Sequence, residues 1–186
     1  MEEIQLYLDE AQEMMDNSLG HLRTELAKIR AGKATPSMLD GVMVEYYGSP
    51  TPLNQVASVT TPDARTIFVK PWEKKTIADI ERAIMNSDLG LNPQNDGEQV
   101  IINIPMLTEE RRTQLVKQAR HEGENAKISI RNARKEVNDG LKQLQKEGTS
   151  EDEVKRAEDK VQQITDAHTK KVDDMLDLKE SEIMTV

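Results

Sequence analysis

Residues 111–135 hold eight cations, Arg111, Arg112, Lys117, Arg120, Lys127, Arg131, Arg134 and Lys135, against two acids, Glu122 and Glu124. Their spacing is helical. At 100° per residue with Arg120 at zero, Lys127 falls at about −20°, Arg131 at about +20°, Arg134 at about −40°, and Lys117 and Lys135 near +60°. The apolar residues Ala119, Ala126, Ile130, Ala133 and Val137 gather near −110°, so the cations form a stripe beside a buried seam. Arg120 to Arg134 spans about 21 Å of rod. The competing account is a solvated face held by i,i+4 ion pairs. Against it, the stripe itself contains few acids, and uncompensated like charges three and four residues apart cost a few tenths of a kcal/mol each. Arginine outnumbers lysine here, which suits bidentate phosphate contact. Arg30 and Lys33, at the end of an earlier helical segment, add positive charge. A stiff rod with a basic stripe and no base-reading aromatics would read the backbone and shape of folded RNA.

Other chemistries find little to work with. His21, His121 and His168 fall on three different predicted helices with no ligand spacing between any two, so no metal site is expected. The chain has no cysteine, and therefore no thiol nucleophile or disulfide. It carries no Walker loop, GxGxxG or nucleophile elbow. Gly90-Leu91-Asn92-Pro93 and Asp96-Gly97 read as turns rather than phosphate cradles, and the paired acids as helix starts or solvated faces. We expect no catalytic site and no cofactor. The net charge of −9 taken alone argues against an anionic partner, but charge is unevenly spread. Residues 150–186 carry eleven acids against six bases. A basic region inside an acidic chain suggests one localised anionic contact. The opening MEEIQLYLDE lacks the basic start and apolar run of a secretory signal, and no stretch approaches the ~18 apolar residues of a membrane span. The expectation is a cytoplasmic monomer with no membrane partner.

The elements that must position the stripe follow from periodicity. Ile4, Leu8, Ala11, Met15, Leu19, Leu22, Leu26 and Ile29 keep one face of a first long helix apolar, ended by Gly32 and Pro36. From Leu39 the pattern turns to strands: Val42–Tyr47 closed by Gly48-Ser49-Pro50, then Gln55–Thr60 and Arg65–Lys70 around a turn at Thr61-Pro62-Asp63-Ala64. Thr76 is placed to cap a short helix carrying Ile77, Ile80 and Ile84, and Val100–Ile104 is a last strand after a turn at Asn95-Asp96-Gly97. Thr108-Glu109-Glu110 starts a helix of about 60 Å running to Gly148. Ser150-Glu151-Asp152-Glu153 reads as a capping box opening a third helix with Val154, Ala157, Val161, Ile164, His168, Met175 and Leu178 on its apolar face. Three one-faced helices satisfy each other only if residues 1–31 return beside 107–186. The predicted class is α+β in two domains: a long three-helix bundle from 1–31 and 107–186, and an inserted, small, strand-rich domain at 34–105. Hinges are expected at Ala31-Gly32-Lys33 and at Pro105-Met106.

These residues and the segments around them resemble the bacterial ribosome recycling factor family. The resemblance covers nearly the whole chain: Lys28-Ile29-Arg30 before Gly32-Lys33, Pro36-Ser37-Met38-Leu39-Asp40, Val44-Glu45-Tyr46-Tyr47-Gly48 with Pro50-Thr51-Pro52-Leu53, and Ala83-Ile84-Met85 leading to Ser87-Asp88-Leu89-Gly90-Leu91-Asn92-Pro93. It continues through Leu107-Thr108-Glu109-Glu110-Arg111-Arg112 and Ile130-Arg131-Asn132-Ala133-Arg134-Lys135. Met106 stands where the family often has Pro, and Lys135 where it often has Arg. The resemblance implies an L-shaped molecule whose helical domain lies on the large ribosomal subunit across the aminoacyl and peptidyl sites. With elongation factor G and GTP hydrolysed by that factor, such a molecule splits the post-termination ribosome. It also implies that Arg131 and Arg134 are the main contacts to the 23S-type rRNA, supported by Arg30 and Lys127, and that the smaller domain faces the translocase. The stripe adds Lys117, Arg120 and Lys135 to the expected rRNA contacts. Two other classes remain open on the residues alone: a coiled-coil scaffold or chaperone that binds proteins, and a hydrolase using carboxylates of the inserted domain.

Overall fold

The structure is a computed structural model that describes residues 2–185. In chain order its elements are α1 (Glu2–Lys28), β1 (Met43–Tyr46), β2 (Ser49–Pro52), a single turn α2 (Leu53–Val56), β3 (Ala57–Asp63), β4 (Thr66–Pro71), α3 (Ile77–Met85), β5 (Pro93–Asn95), β6 (Val100–Asn103), α4 (Glu109–Lys146) and α5 (Glu151–Met184). They group into two compact units, one of residues up to Ala31 together with those from Glu109 onward, the other Gly32–Thr108. The class is two-domain α+β.

The first unit is three long helices sharing one apolar seam. Leu8, Ala11, Met15, Leu19, Leu22 and Leu26 of α1 are buried, with Leu115, Ala119, Ala126, Ile130, Ala133, Val137, Leu141 and Leu144 of α4. These recur every three or four residues, the repeat that keeps side chains on one helical face. The α5 face consists of Val154, Ala157, Val161, Thr165, His168, Val172 and Ile183. Leu178 is 78% exposed, against the expectation that it lines the core. It lies about 120° around the helix from Val172, off the buried stripe. Ser150 precedes α5 in extended conformation but makes no side-chain capping bond, so the expected capping box does not form. The acids of that box still occupy the positive end of the helix dipole.

The second unit is a four-stranded antiparallel sheet in the order β3-β4-β6-β5, a β1–β2 hairpin, and α3 packed on the core. Ile67 and Val69 of β4 alternate with Phe68, which is half-buried, as a strand with one buried face requires. Val44, Ile80, Ile84, Val100 and Ile102 complete a closed core at 0% exposure. The local turn chemistry departs from expectation at three places. Tyr47 and Gly48, at φ of 48° and 80°, make the hairpin turn, while Ser49 and Pro50 begin β2. Pro62 sits within β3 at a register irregularity, and the turn falls after Asp63, whose Oδ1 accepts the Arg65 N–H at 2.8 Å. Thr76 does not cap α3: its backbone is already helical, and its hydroxyl donates to the Glu73 carbonyl at 2.7 Å. The edge strand β5 lies where the sequence suggested only a turn.

Candidate nucleic-acid interface

The single uninterrupted helix α4 carries Lys117, Arg120, Lys127, Arg131, Arg134 and Lys135, which fixes the angular stripe read from the sequence. Lys117, Arg120, Arg131 and Lys135 are exposed, and Lys127 and Arg134 are half-buried. Arg30 is exposed just past the last turn of α1, which ends at Lys28. The charge of Glu122 on α4 acts on Lys28, so that end of α1 lies beside the basic segment.

The cations are not uncompensated, which corrects the sequence argument. Arg120 is hydrogen-bonded through Nε and Nη2 to the Glu180 carboxylate, and Lys127 Nζ lies 2.6 Å from Asp173 Oδ1. Arg131 Nη2 is 2.7 Å from Glu124 Oε1, and Arg134 Nη1 donates to Gln162 Oε1 at 3.2 Å. Most of these acceptors stand on α5, which a search along α4 alone does not meet. Their signal was present all the same: Asp166, Asp173 and Glu180 repeat every seven residues, as do Arg120, Lys127 and Arg134. Glu180 holds the Arg120 guanidinium pKa above its usual value, chiefly by hydrogen bonding. Pairs this exposed contribute about 0–1 kcal/mol each. The face therefore offers oriented guanidinium and ammonium donors whose present partners are weakly held, an arrangement that suits phosphate.

Two further polar clusters were not foreseen. In the bundle, His168 is 2% exposed, with Nε2 2.7 Å from Asp16 Oδ1 and Nδ1 2.7 Å from the Ile164 carbonyl. His21 and His121 are exposed. In the second unit, Tyr46 and Tyr47 donate to Glu73 at 2.6 and 3.0 Å, and Lys75 lies over the Tyr47 ring, 4.7 Å from its centroid. The Glu73 carboxylate raises the Tyr46 phenol to about 12 by accepting its hydrogen bond, which holds the phenol protonated. Of the expected hinge residues, Ala31, Gly32 and Lys33 are half-buried and Pro105 and Met106 exposed. Gly32 adopts φ +73°, and a Cβ there would lie 2.6 Å from Leu107 Cγ. Among the described residues no cluster of three His, Asp or Glu could hold a metal, and no helix is long and apolar enough to cross a membrane.

Comparison with known proteins supplies a family. The family model described as ribosome recycling factor matches residues 22–184. The chain is 57% identical to the ribosome-recycling factor of Amoebophilus asiaticus and 54% identical to that of Cytophaga hutchinsonii, each over 186 residues and the full length of both proteins. Among solved structures it is similar to a solution structure of a ribosome recycling factor, at 33% identity and a TM-score of 0.76 over all of both chains. It is also similar, at 47% identity and a TM-score of 0.61 over 98% of this chain and 99% of the other, to the T. thermophilus ribosome recycling factor placed with E. coli elongation factor G on the E. coli post-termination complex.

Proposed function

Since the chain belongs to the ribosome recycling factor family, we propose that it recycles ribosomes after termination as a non-catalytic factor of the cytoplasm, its bundle anchored on the large ribosomal subunit. The anchor is the face of α4. Arg131 and Arg134 make the principal contacts to large-subunit RNA, with Arg30, Lys117, Arg120, Lys127 and Lys135 around them. The bundle lies across the aminoacyl and peptidyl sites, and elongation factor G, hydrolysing GTP, drives the splitting of the post-termination ribosome. The chain's own contribution is mechanical: a rod of about 57 Å, set by the 38 residues of α4, held to RNA along one side. The segments Ala31–Lys33 and Pro105–Met106 serve as a hinge for the inserted unit, which faces the translocase.

The observation that carries the RNA contact is the row of cations on a single face of α4, with Lys127, Arg131 and Arg134 held by exposed acceptors and Arg120 by the half-buried Glu180. Binding to large subunits over a salt series tests it. The affinity should fall steeply with salt, and Arg134→Ala should lower the log–log slope by about 1 if its guanidinium neutralises one phosphate. Salt-insensitive binding, or an unchanged slope in the variant, would remove the contact and favour a protein-binding scaffold.

A further inference from the structure

Two cations of α4, one heptad apart, are matched with carboxylates of α5, and a third a heptad further on is held by a glutamine. Arg120, Lys127 and Arg134 stand seven residues apart, as do Asp166, Asp173 and Glu180. Seven residues is close to two helical turns, so each set stays on one line along its helix, at intervals of about 10.5 Å. The two helices run antiparallel, which brings the lines into register. Arg120 meets Glu180, Lys127 meets Asp173 at 2.6 Å, and Arg134 meets Asp166 through Gln162, at 3.2 Å and then 2.8 Å.

A carboxylate accepts from the same N–H donors, in the same fork geometry, as a phosphate. Glu180 and Asp173 therefore occupy places that an RNA phosphate needs, and at Arg134 that place is taken by the amide oxygen of Gln162. Each pair joins a mostly exposed member, Arg120 at 66% or Asp173 at 52%, to a half-buried one, Glu180 or Lys127 at 26%. Such partly exposed pairs are weak enough to be exchanged. We propose that Asp173 and Glu180 are built-in competitors for phosphate, which make RNA binding by α4 an exchange of ligands and so set its specificity. A stray phosphate gains little, because it must displace an acceptor already in place. An RNA surface that presents phosphates along the whole row displaces both acids and sums the small surplus gained at each site. The inference rests on the reading of α4 as an RNA-binding face.

The test titrates the full chain with a short RNA duplex of arbitrary sequence and, separately, with large ribosomal subunits, each over a salt series. The double variant Asp173→Asn, Glu180→Gln is compared with wild type, with Arg134→Ala, and with a charge-matched control, Asp174→Asn, Glu182→Gln. The control positions lie about 100° and 180° from Asp173 around α5. The double variant should bind the duplex about two- to five-fold more tightly per acid removed. Its salt slope should steepen slightly, since no freed carboxylate remains to associate with a cation. Its preference for subunits over duplex should fall, and the control should change neither slope nor preference. If the double variant binds the duplex no more tightly than the control while Arg134→Ala weakens binding, the acids only fasten α4 to α5 and the inference is overturned. Weaker binding together with a lowered melting temperature is that same structural role and overturns it equally. If Arg134→Ala leaves binding unchanged as well, the RNA-binding reading itself has failed.

Discussion

Asp16 and His168 join α1 to α5 across a largely apolar seam, the imidazole almost fully enclosed and the carboxylate half open to solvent. Asp16→Ala would leave His168 Nε2 with only Gln12 at 3.3 Å. An under-satisfied buried polar group costs about 1–3 kcal/mol, and solvent screening at Asp16 argues for the lower end. Thermal unfolding of the variant should show a loss of about 1 kcal/mol. The pH dependence has a definite sign. The Asp16 carboxyl is held below its ordinary value, first by the His168 hydrogen bond and then by that of Gln12. A depressed carboxyl stabilises the fold fully above its unfolded pKa of about 4, and that contribution disappears as pH falls through the lower folded value. An acid titration of stability should therefore show, in wild type, a loss below about pH 4 that Asp16→Ala lacks. His168 was legible as a core position, because it falls on the buried stripe with Val161, Thr165 and Val172. Its partner was not. Periodicity tells which face a residue occupies, and it does not tell which side chain of another helix meets it.

The same limit operates on elements. The three helices and the last strands follow from strong 3.6- and 2-residue repeats, and solvent exposure agrees with them along nearly every turn. Misreadings cluster where one or two backbone dihedrals decide. Pro62 looked like a turn residue but lies in β3, and Tyr47 takes a positive φ that its residue type does not advertise. The cation row was readable from α4, whereas its neutralisation required the register between α4 and α5. That register is itself encoded, in two heptad repeats that gain meaning only once the helices are known to be antiparallel. Gly32 shows how much one backbone position can require. Its φ of +73° is costly for any residue with a Cβ, and Leu107 fills the space that the Cβ would need. Gly32→Ala should destabilise the strand-bearing unit by about 2–5 kcal/mol, the sum of left-handed strain and overpacking. Amide hydrogen exchange should report faster opening in β3, β4 and β6 while α4 and α5 keep their protection. Proline at position 32 is a poor probe of hinge motion for the same reason, since its ring fixes φ near −65°.

At the scale of the molecule, a bundle assembled from the two ends of the chain commits about sixty per cent of the sequence to one stiff body, and 32–108 to a separate folded unit. A rod is suited to transmitting a push without absorbing it, because bending it would break buried packing along the whole seam. On the proposed reading it also holds RNA at many points and releases it when the subunits part. Exposed charge pairs supply that combination better than a deep pocket, and no chemistry on the chain is needed. Sequence alone carried the family assignment because its motifs run the length of the chain, but it could not supply the carboxylates that share the α4 face. The account stands most directly on one measurement, the light-scattering change as post-termination ribosomes separate into subunits. Wild-type protein should release subunits only when elongation factor G and GTP are both present. The Arg131→Ala, Arg134→Ala double variant, folded to the same helical content, should do so about ten-fold more slowly at equal concentration, for the loss of two charge-assisted contacts. Splitting by the double variant at the wild-type rate across a concentration series would contradict the account.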